Sequence, residues 1–136
     1  MVEPVLFRGC SFDRAEFSNL SLGSCRFEGC TFRGTKLTGL ESRCAEWVDN
    51  TFATRISRCQ FYGRPQQPCA TTIDGSARSV NAFVGNDFSA AELSDCAFRH
   101  GIDLHGQRWP ITRAYRVLDH WALRHAGAQQ VLVRES

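Results

Sequence analysis

The chain has 136 residues, with 16 basic and 14 acidic side chains and a formal net charge of +2. The length indicates one domain, and the nearly balanced charge argues against a nucleic-acid-binding protein and against a strongly acidic partner mimic. The sequence has no run of about 18 apolar residues and no basic segment followed by an apolar one near its N-terminus, so we expect neither a membrane span nor a secretory signal, and a cytoplasmic protein.

Large apolar side chains recur at every fifth position from residue 7, at Phe7, Phe12, Phe17, Leu22, Phe27, Phe32 and Leu37. The position two residues earlier holds a small or apolar residue in each unit, namely Val5, Cys10, Ala15, Leu20, Cys25, Cys30 and Thr35. Residues two apart point to the same side of an extended backbone. Each unit is therefore a short extended side followed by a corner, and the pattern predicts a solenoid.

These units resemble those of the pentapeptide-repeat family over roughly residues 5–61 and 81–104. The matching segments are CSF (10–12), AEF (15–17), CRF (25–27), CTF (30–32), NDF (86–88), AEL (91–93) and CAF (96–98). The resemblance implies a right-handed quadrilateral β-helix, with four units in each coil. We therefore predict an all-β solenoid of about four to five coils, with an inserted loop and a C-terminal α-helix.

Stacking units one coil apart assigns each large residue to one of four faces. Face one carries Phe7, Phe27 and Trp47; face two Phe12, Phe32 and Phe52; face three Phe17, Leu37 and Ile56; face four Leu22, Ser42 and Phe61. The period stops after residue 61 and resumes with Phe83, Phe88, Leu93 and Phe98. An insertion at about 63–79 would keep the faces aligned and place Asn86 over Asn50. A degenerate extra coil across 62–82 is the alternative.

We assign residues 1–109 to the β-helix and its inserted loop. The loop is rich in Pro, Gly, Ser and Thr, and long loops in compact domains are commonly either functional or disordered. Family members that protect DNA gyrase use loops that project from the coils, so the resemblance favours a binding role. The candidate partner-binding residues are Arg64, Cys69, Asp74 and Arg78.

Residues 110–136 are predicted to form a C-terminal helix and a tail. Pro110 is typical of a helix start and Gly127 of a stop, with an apolar stripe between them. This helix either caps the last coil or makes a homodimer, through Tyr115, Leu118, Trp121 and Ala122. The apolar residues Val131–Val133 indicate a strand or a swapped arm.

The cysteines and histidines offer little evidence of chemistry. Five of the seven cysteines fall at inward small positions and are interpreted as core fillers, namely Cys10, Cys25, Cys30, Cys59 and Cys96. Without a secretory signal we expect reduced thiols, and the absence of a CxxC pair argues against zinc. His100, Asp103 and His105 lie close together and are the alternative catalytic or metal site. We expect no metal and no cofactor.

The sequence favours a non-catalytic, protein-binding scaffold. The resemblance implies a protector of type II topoisomerases such as DNA gyrase, hence an antibiotic-resistance or self-resistance factor. The coils hold ten acids and nine bases, and opposite charges stack, with Arg8 under Glu28 and Glu16 under Lys36. They leave no acidic stripe, so we expect no DNA mimic and no direct nucleic-acid contact.

The alternatives are an enzyme or small-ligand accessory protein of a biosynthetic pathway and a structural assembly module. The Arg-rich composition indicates a GC-rich, bacterial genome.

Overall fold

The computed structural model describes residues 5–65 and 79–110 in full, and the backbone of residues 115–117 and 129–134. Short strands dominate these segments, and a 3₁₀ helix spans Leu104–Gly106. The strands are β1 Val5–Arg8, β2 Glu16–Ser18, β3 Cys25–Glu28, β4 Thr31–Arg33, β5 Lys36–Thr38, β6 Glu41–Ser42, β7 Ala45–Val48, β8 Thr51–Ala53, β9 Arg55–Ser57, β10 Gln60–Tyr62, β11 Phe83–Val84, β12 Glu92–Ser94, β13 Ala97–Arg99, β14 Tyr115–Val117 and β15 Gln129–Arg134. Across the described ranges, no helix is long and apolar enough to cross a membrane.

Successive coils pair in parallel and build four faces. Face one has the order β1-β3-β7-β11, and face three has the order β2-β5-β9-β12. Face two contains β4 and β8, extended by single bridges from Ser11 to Thr31 and from Thr51 to Asp87. Face four runs from β6 through β10 to β13 and continues into β15 and β14. The predicted register is confirmed, since Phe27 pairs with Trp47, Phe32 with Phe52 and Leu37 with Ile56.

The inside of the coils is filled by stacked rings. On face two the ring centroids of Phe32 and Phe52 lie 4.9 Å apart, and those of Phe52 and Phe88 lie 4.6 Å apart. All three side chains have 0% exposure. Trp47 also lies inside, and its indole Nε1 donates to the Ser42 hydroxyl at 2.7 Å. Ser42 thus occupies a large-residue position because it accepts a hydrogen bond from its bulky neighbour.

Most of the corners are made by residues with a left-handed backbone conformation. These lie two positions after a large inward residue, as at Gly29 (φ 61°), Asp49 (φ 56°) and Asp95 (φ 55°). Glycine adopts this conformation without strain, and Asp and Asn tolerate it better than most residues. The fifth residue of the repeat therefore turns the chain from one face to the next.

The coils before and after residues 63–80 pair directly with each other. Phe83 of β11 pairs directly with Trp47 of β7, and Phe98 of β13 pairs directly with Phe61 of β10. The third and fourth coils are thus adjacent on faces one and four. This register is that of an insertion between two coils rather than of an extra coil.

The C-terminal part differs from the predicted helix where it is described. Tyr115–Val117 form β14, which pairs antiparallel with β15. The other positions of the predicted stripe, including Leu118, Trp121 and Ala122, lie outside the described residues. β15 also pairs antiparallel with β13, with Ala97 opposite Val131. The predicted strand at Val131–Val133 is confirmed, and it covers the open edge of face four within the same chain.

Candidate functional site

The insertion leaves the solenoid at a rigid neck, which consists of Gly63, Asn81 and Ala82. The Asn81 main-chain N–H donates to Gly63 O at 2.8 Å, which brings the two ends of the insertion together. The Asn81 side-chain amide donates to Tyr62 O and to Arg43 O, both at 2.9 Å. Asn81 is 2% exposed, so these bonds are shielded from water. The neck lies at the corner between face four and face one.

Gly63 is required at the neck because the last coil lies against it. A Cβ at this position would lie 2.5 Å from His100 O and 2.9 Å from Ile102 N, both of them main-chain atoms. The Gly63 N–H also donates to Arg99 O at 2.8 Å. The start of the insertion is therefore fixed by the coil above, and Asn81 fixes its end against the coil below.

A polar cluster covers the outside of face four beside the neck. We name it the face-four cluster, and it consists of Glu41, Arg43, Tyr62, Arg99 and His100. The Tyr62 hydroxyl lies 3.1 Å from Glu41 Oε2, and Arg43 Nε lies 3.6 Å from the same carboxylate oxygen. The His100 ring stacks on the Tyr62 ring with centroids 5.6 Å apart.

Burial and the neighbouring charges determine the protonation of the groups in this cluster. Desolvation, followed by the Glu41 carboxylate, raises the pKa of the Tyr62 hydroxyl, so this group stays protonated at neutral pH. Arg99 Nε is buried and has no hydrogen-bond partner among the described residues. A buried guanidinium nitrogen without an acceptor is costly, and an incoming carboxylate would satisfy it.

The structure shows local contacts for the alternative catalytic or metal residues His100, Asp103 and His105. His100 adopts a left-handed backbone (φ 59°) and stacks on Tyr62. Asp103 precedes the 3₁₀ helix, where its Oδ1 accepts from the His105 main-chain N–H at 3.0 Å. In the described ranges, no group of three or more His, Cys, Asp or Glu side chains could hold a metal ion.

Of the four loop candidates, the structure describes Arg64 alone. Arg64 is exposed and directly follows the neck residue Gly63. Cys69, Asp74 and Arg78 lie outside the described residues. The face-four cluster was not predicted from the sequence, although stacking the residues that follow Ser42, Phe61 and Phe98 aligns Arg43, Tyr62 and Arg99.

The thiols that were interpreted as core fillers are free and lie inside the coils. Cys30, Cys59 and Cys96 are 1%, 0% and 3% exposed. Desolvation raises the pKa of the Cys30 thiol, and a shared hydrogen bond with Cys96 followed by burial raises that of Cys59. The raised pKa values keep the Cys30 and Cys59 thiols protonated at neutral pH, so these two are poor nucleophiles. Cys44 departs from the expectation of reduced thiols, because it is disulfide-bonded.

The predicted charge pairing between coils is present on faces one and three. Arg8 and Glu28 form an ion pair at 3.4 Å, and Lys36 and Glu16 form one at 3.5 Å. Glu28 also pairs with Arg26 at 3.1 Å. Desolvation opposes ionisation of Glu28, but these two arginines lower the pKa of its carboxyl below the usual 4.5. The pairs leave little unbalanced charge on these faces.

Residues 5–39 match the family model for pentapeptide repeats, in eight copies. Comparisons of the chain with curated proteins and with solved structures found no match.

Proposed function

Because the chain belongs to the pentapeptide-repeat family, we propose that it is a non-catalytic scaffold that binds another protein through its outer surface. The filled core carries this proposal. Inward residues such as Trp47, Phe61 and Phe98 are at most 1% exposed and stack without space for a small molecule. Recognition on the coils therefore has to use side chains on the outer faces and at the insertion.

We place the binding surface at the face-four cluster and the neck. Tyr and Arg are the residue types enriched where binding energy concentrates in protein interfaces, and this corner holds Tyr62, Arg43 and Arg99 close together. The buried Nε of Arg99 has no acceptor among the described residues, so an acidic side chain from a partner could accept a hydrogen bond from it. The partner is accordingly a protein with a carboxylate-bearing surface.

The specific partner that we propose is a type II topoisomerase, which the scaffold would protect against quinolone-type poisons. This step rests on the family's known role. The ion pairs between coils argue against a duplex-like acidic surface, so the contact would be made by the corner and the insertion. Protection would thus depend on side chains of one corner rather than on the overall charge of the rod.

A supercoiling assay tests this proposal. The 136-residue chain is added to gyrase with and without a quinolone, and supercoiling should be restored in the presence of the drug. The variants Arg99→Ala and Tyr62→Ala should lose most of the effect. Arg55→Ala is the matched control, because Arg55 is an exposed arginine on face three. If the wild-type protein changes neither supercoiling nor drug-induced cleavage, the topoisomerase proposal is wrong.

A further inference from the structure

The two ends of the solenoid differ in how well they are covered. At the C-terminal end the Trp109 ring stacks on Phe88 with centroids 5.0 Å apart and meets Phe98 edge-on at 5.1 Å. Ile102 and Leu104 close the same end and are 2% and 4% exposed. This end is capped by the chain itself.

Among the described residues, none covers the first coil in this way. Leu20 is 40% exposed, whereas Leu40, one coil above it, has 0% exposure. Val5 is 47% exposed at an inward position, and Leu6 is 37% exposed beside it. Phe7, Phe12, Phe17 and Leu22 are half-buried, although their counterparts in the next coil are buried. The end of the rod thus presents an apolar square.

Within residues 5–65 and 79–110, the backbone of this coil is also open on one side. Thr31, Lys36 and Glu41 of the second coil donate their main-chain N–H groups to Cys10, Ala15 and Leu20 of the first. The corresponding N–H groups of the first coil belong to Ser11, Glu16 and Ser21. Parallel pairing in this register directs them away from the second coil, toward the open end. Unpaired strand edges of this kind are templates for pairing with another chain.

We propose that the first coil is an interface with a second copy of this chain, stacked head to head. A partner has to present strand edges on all four sides of a square, and another coil of the same cross-section does so. The capped C-terminal end blocks head-to-tail stacking, so contact between two first coils forms a closed, two-fold dimer. The two-fold axis makes every facing pair of edges antiparallel.

The charges of the first coil suit such self-association. Arg8 and Arg14 are matched by Asp13 and Glu16, so two copies meet without net repulsion. The apolar residues at the centre would be removed from water, with these charges around the rim. The interface is separate from the face-four cluster and does not depend on the proposed partner.

Sedimentation of the full chain over a range of concentrations tests this proposal. The wild type should be a dimer that dissociates on dilution. Leu20→Arg should raise the dissociation constant at least about tenfold, since it places a charge in the interface. Val84→Arg is the matched control, because Val84 is an apolar residue of the fourth coil with 49% exposure, and its dimer should match the wild type.

Leu6→Arg is the second interface variant, since Leu6 points outward and its replacement leaves the core intact. It should weaken the dimer even if Leu20→Arg lowers the melting temperature. A wild type that stays monomeric up to about 100 μM would overturn the proposal. So would a dimer that both end variants leave unchanged, which would place the interface elsewhere, for example in residues 110–136.

Discussion

The side-chain amide of Asn50 donates to Oδ1 of Asn86 at 3.0 Å, and this bond joins two coils that are separated by the insertion. The same oxygen accepts from the Asn50 main-chain N–H at 3.1 Å. Asn86 in turn donates to Gln107 Oε1 at 3.0 Å, and Asn50 Oδ1 accepts from the Cys30 N–H at 2.9 Å. These buried amides form a ladder along one corner, and it fixes the vertical register of successive coils.

Replacing Asn86 with Ala should destabilise the protein by about 2–4 kcal/mol. The change removes the side-chain oxygen that accepts from the Asn50 main-chain N–H and the side-chain amide that donates to Trp47 O and Gln107 Oε1, all in the buried interior. Urea denaturation measures the loss.

Gln60→Ala is the control, because it removes a partly buried amide whose Oε1 accepts from the Tyr62 hydroxyl at 2.9 Å. It should cost less than about 1 kcal/mol, since that hydroxyl keeps Glu41 Oε2 as an acceptor. If both variants lose the same free energy of unfolding, the buried amide ladder does not stabilise the protein more than an outer amide does.

Replacing Phe32 with Ala should cost about 3–5 kcal/mol, as expected for a buried ring whose cavity cannot collapse. Phe32 has 0% exposure and stacks between Phe12 and Phe52. Phe12→Ala is the matched control in the same column, since Phe12 is half-buried, and it should cost clearly less. Thermal melts of both variants give the comparison. A Phe32→Ala protein that melts like the wild type would contradict the assigned register.

Gly63→Ala should destabilise the protein by about 1–3 kcal/mol, because the added Cβ meets main-chain atoms of the last coil that cannot move independently. Gly23→Ala is the matched control. A Cβ at Gly23 would have no atom within 4 Å, and neither glycine has a left-handed backbone. We expect the Gly23 variant to be neutral or slightly stabilised, through the less flexible unfolded chain. A neutral Gly63 variant would show that the neck is looser than its contacts indicate.

Acid should weaken the protein in part through Asp87. The hydroxyl and the main-chain N–H of Ser89 lower the pKa of the Asp87 carboxyl below its usual 3.8. A lowered pKa in the folded state means that the carboxylate stabilises the fold above about pH 4 and that this contribution is lost as pH falls through the folded-state value. Urea midpoints at about pH 7 and about pH 3 should therefore differ less for Asp87→Asn than for the wild type. An unchanged difference would exclude this role of Asp87.

Much of the fold was predictable, because the period of five encodes local and vertical neighbours together. Once Phe12, Phe32 and Phe52 are placed one coil apart, their stacking and the contact between Asn50 and Asn86 follow. Other features depend on pairing between distant segments, which a periodic pattern does not report. Tyr115–Val117 matched a helical stripe but form a strand, because β15 provides hydrogen-bonding partners along its edge. Aromatic and β-branched residues such as Tyr115 and Val117 suit a strand equally well.

The candidate site was less predictable than the core. The interruption of the period at the loop located the corner between face four and face one. The face-four cluster, however, consists of outward residues whose types follow no repeat. Arg99 was identified as a candidate binding residue because its Nε is buried without a partner among the described residues, which the sequence does not reveal. The disulfide at Cys44 likewise depends on the fold and not on a local motif.

The central claim is that the coils are a complete scaffold and that the insertion and its corner carry the function. Replacing residues 66–78 with a short Gly-Ser linker tests it most directly, because the Asn81 N–H and Gly63 O already bring the ends of the insertion within 2.8 Å. Because Cys44 is disulfide-bonded, the shortened protein and its reference both carry Cys44→Ser, so that loss of a disulfide does not lower the melting temperature of one of them alone. We predict that the shortened protein keeps the melting temperature and circular-dichroism spectrum of this reference and loses gyrase protection. A shortened protein that fails to fold would contradict the claim that the coils are complete. One that folds and still protects gyrase would contradict the role of the insertion.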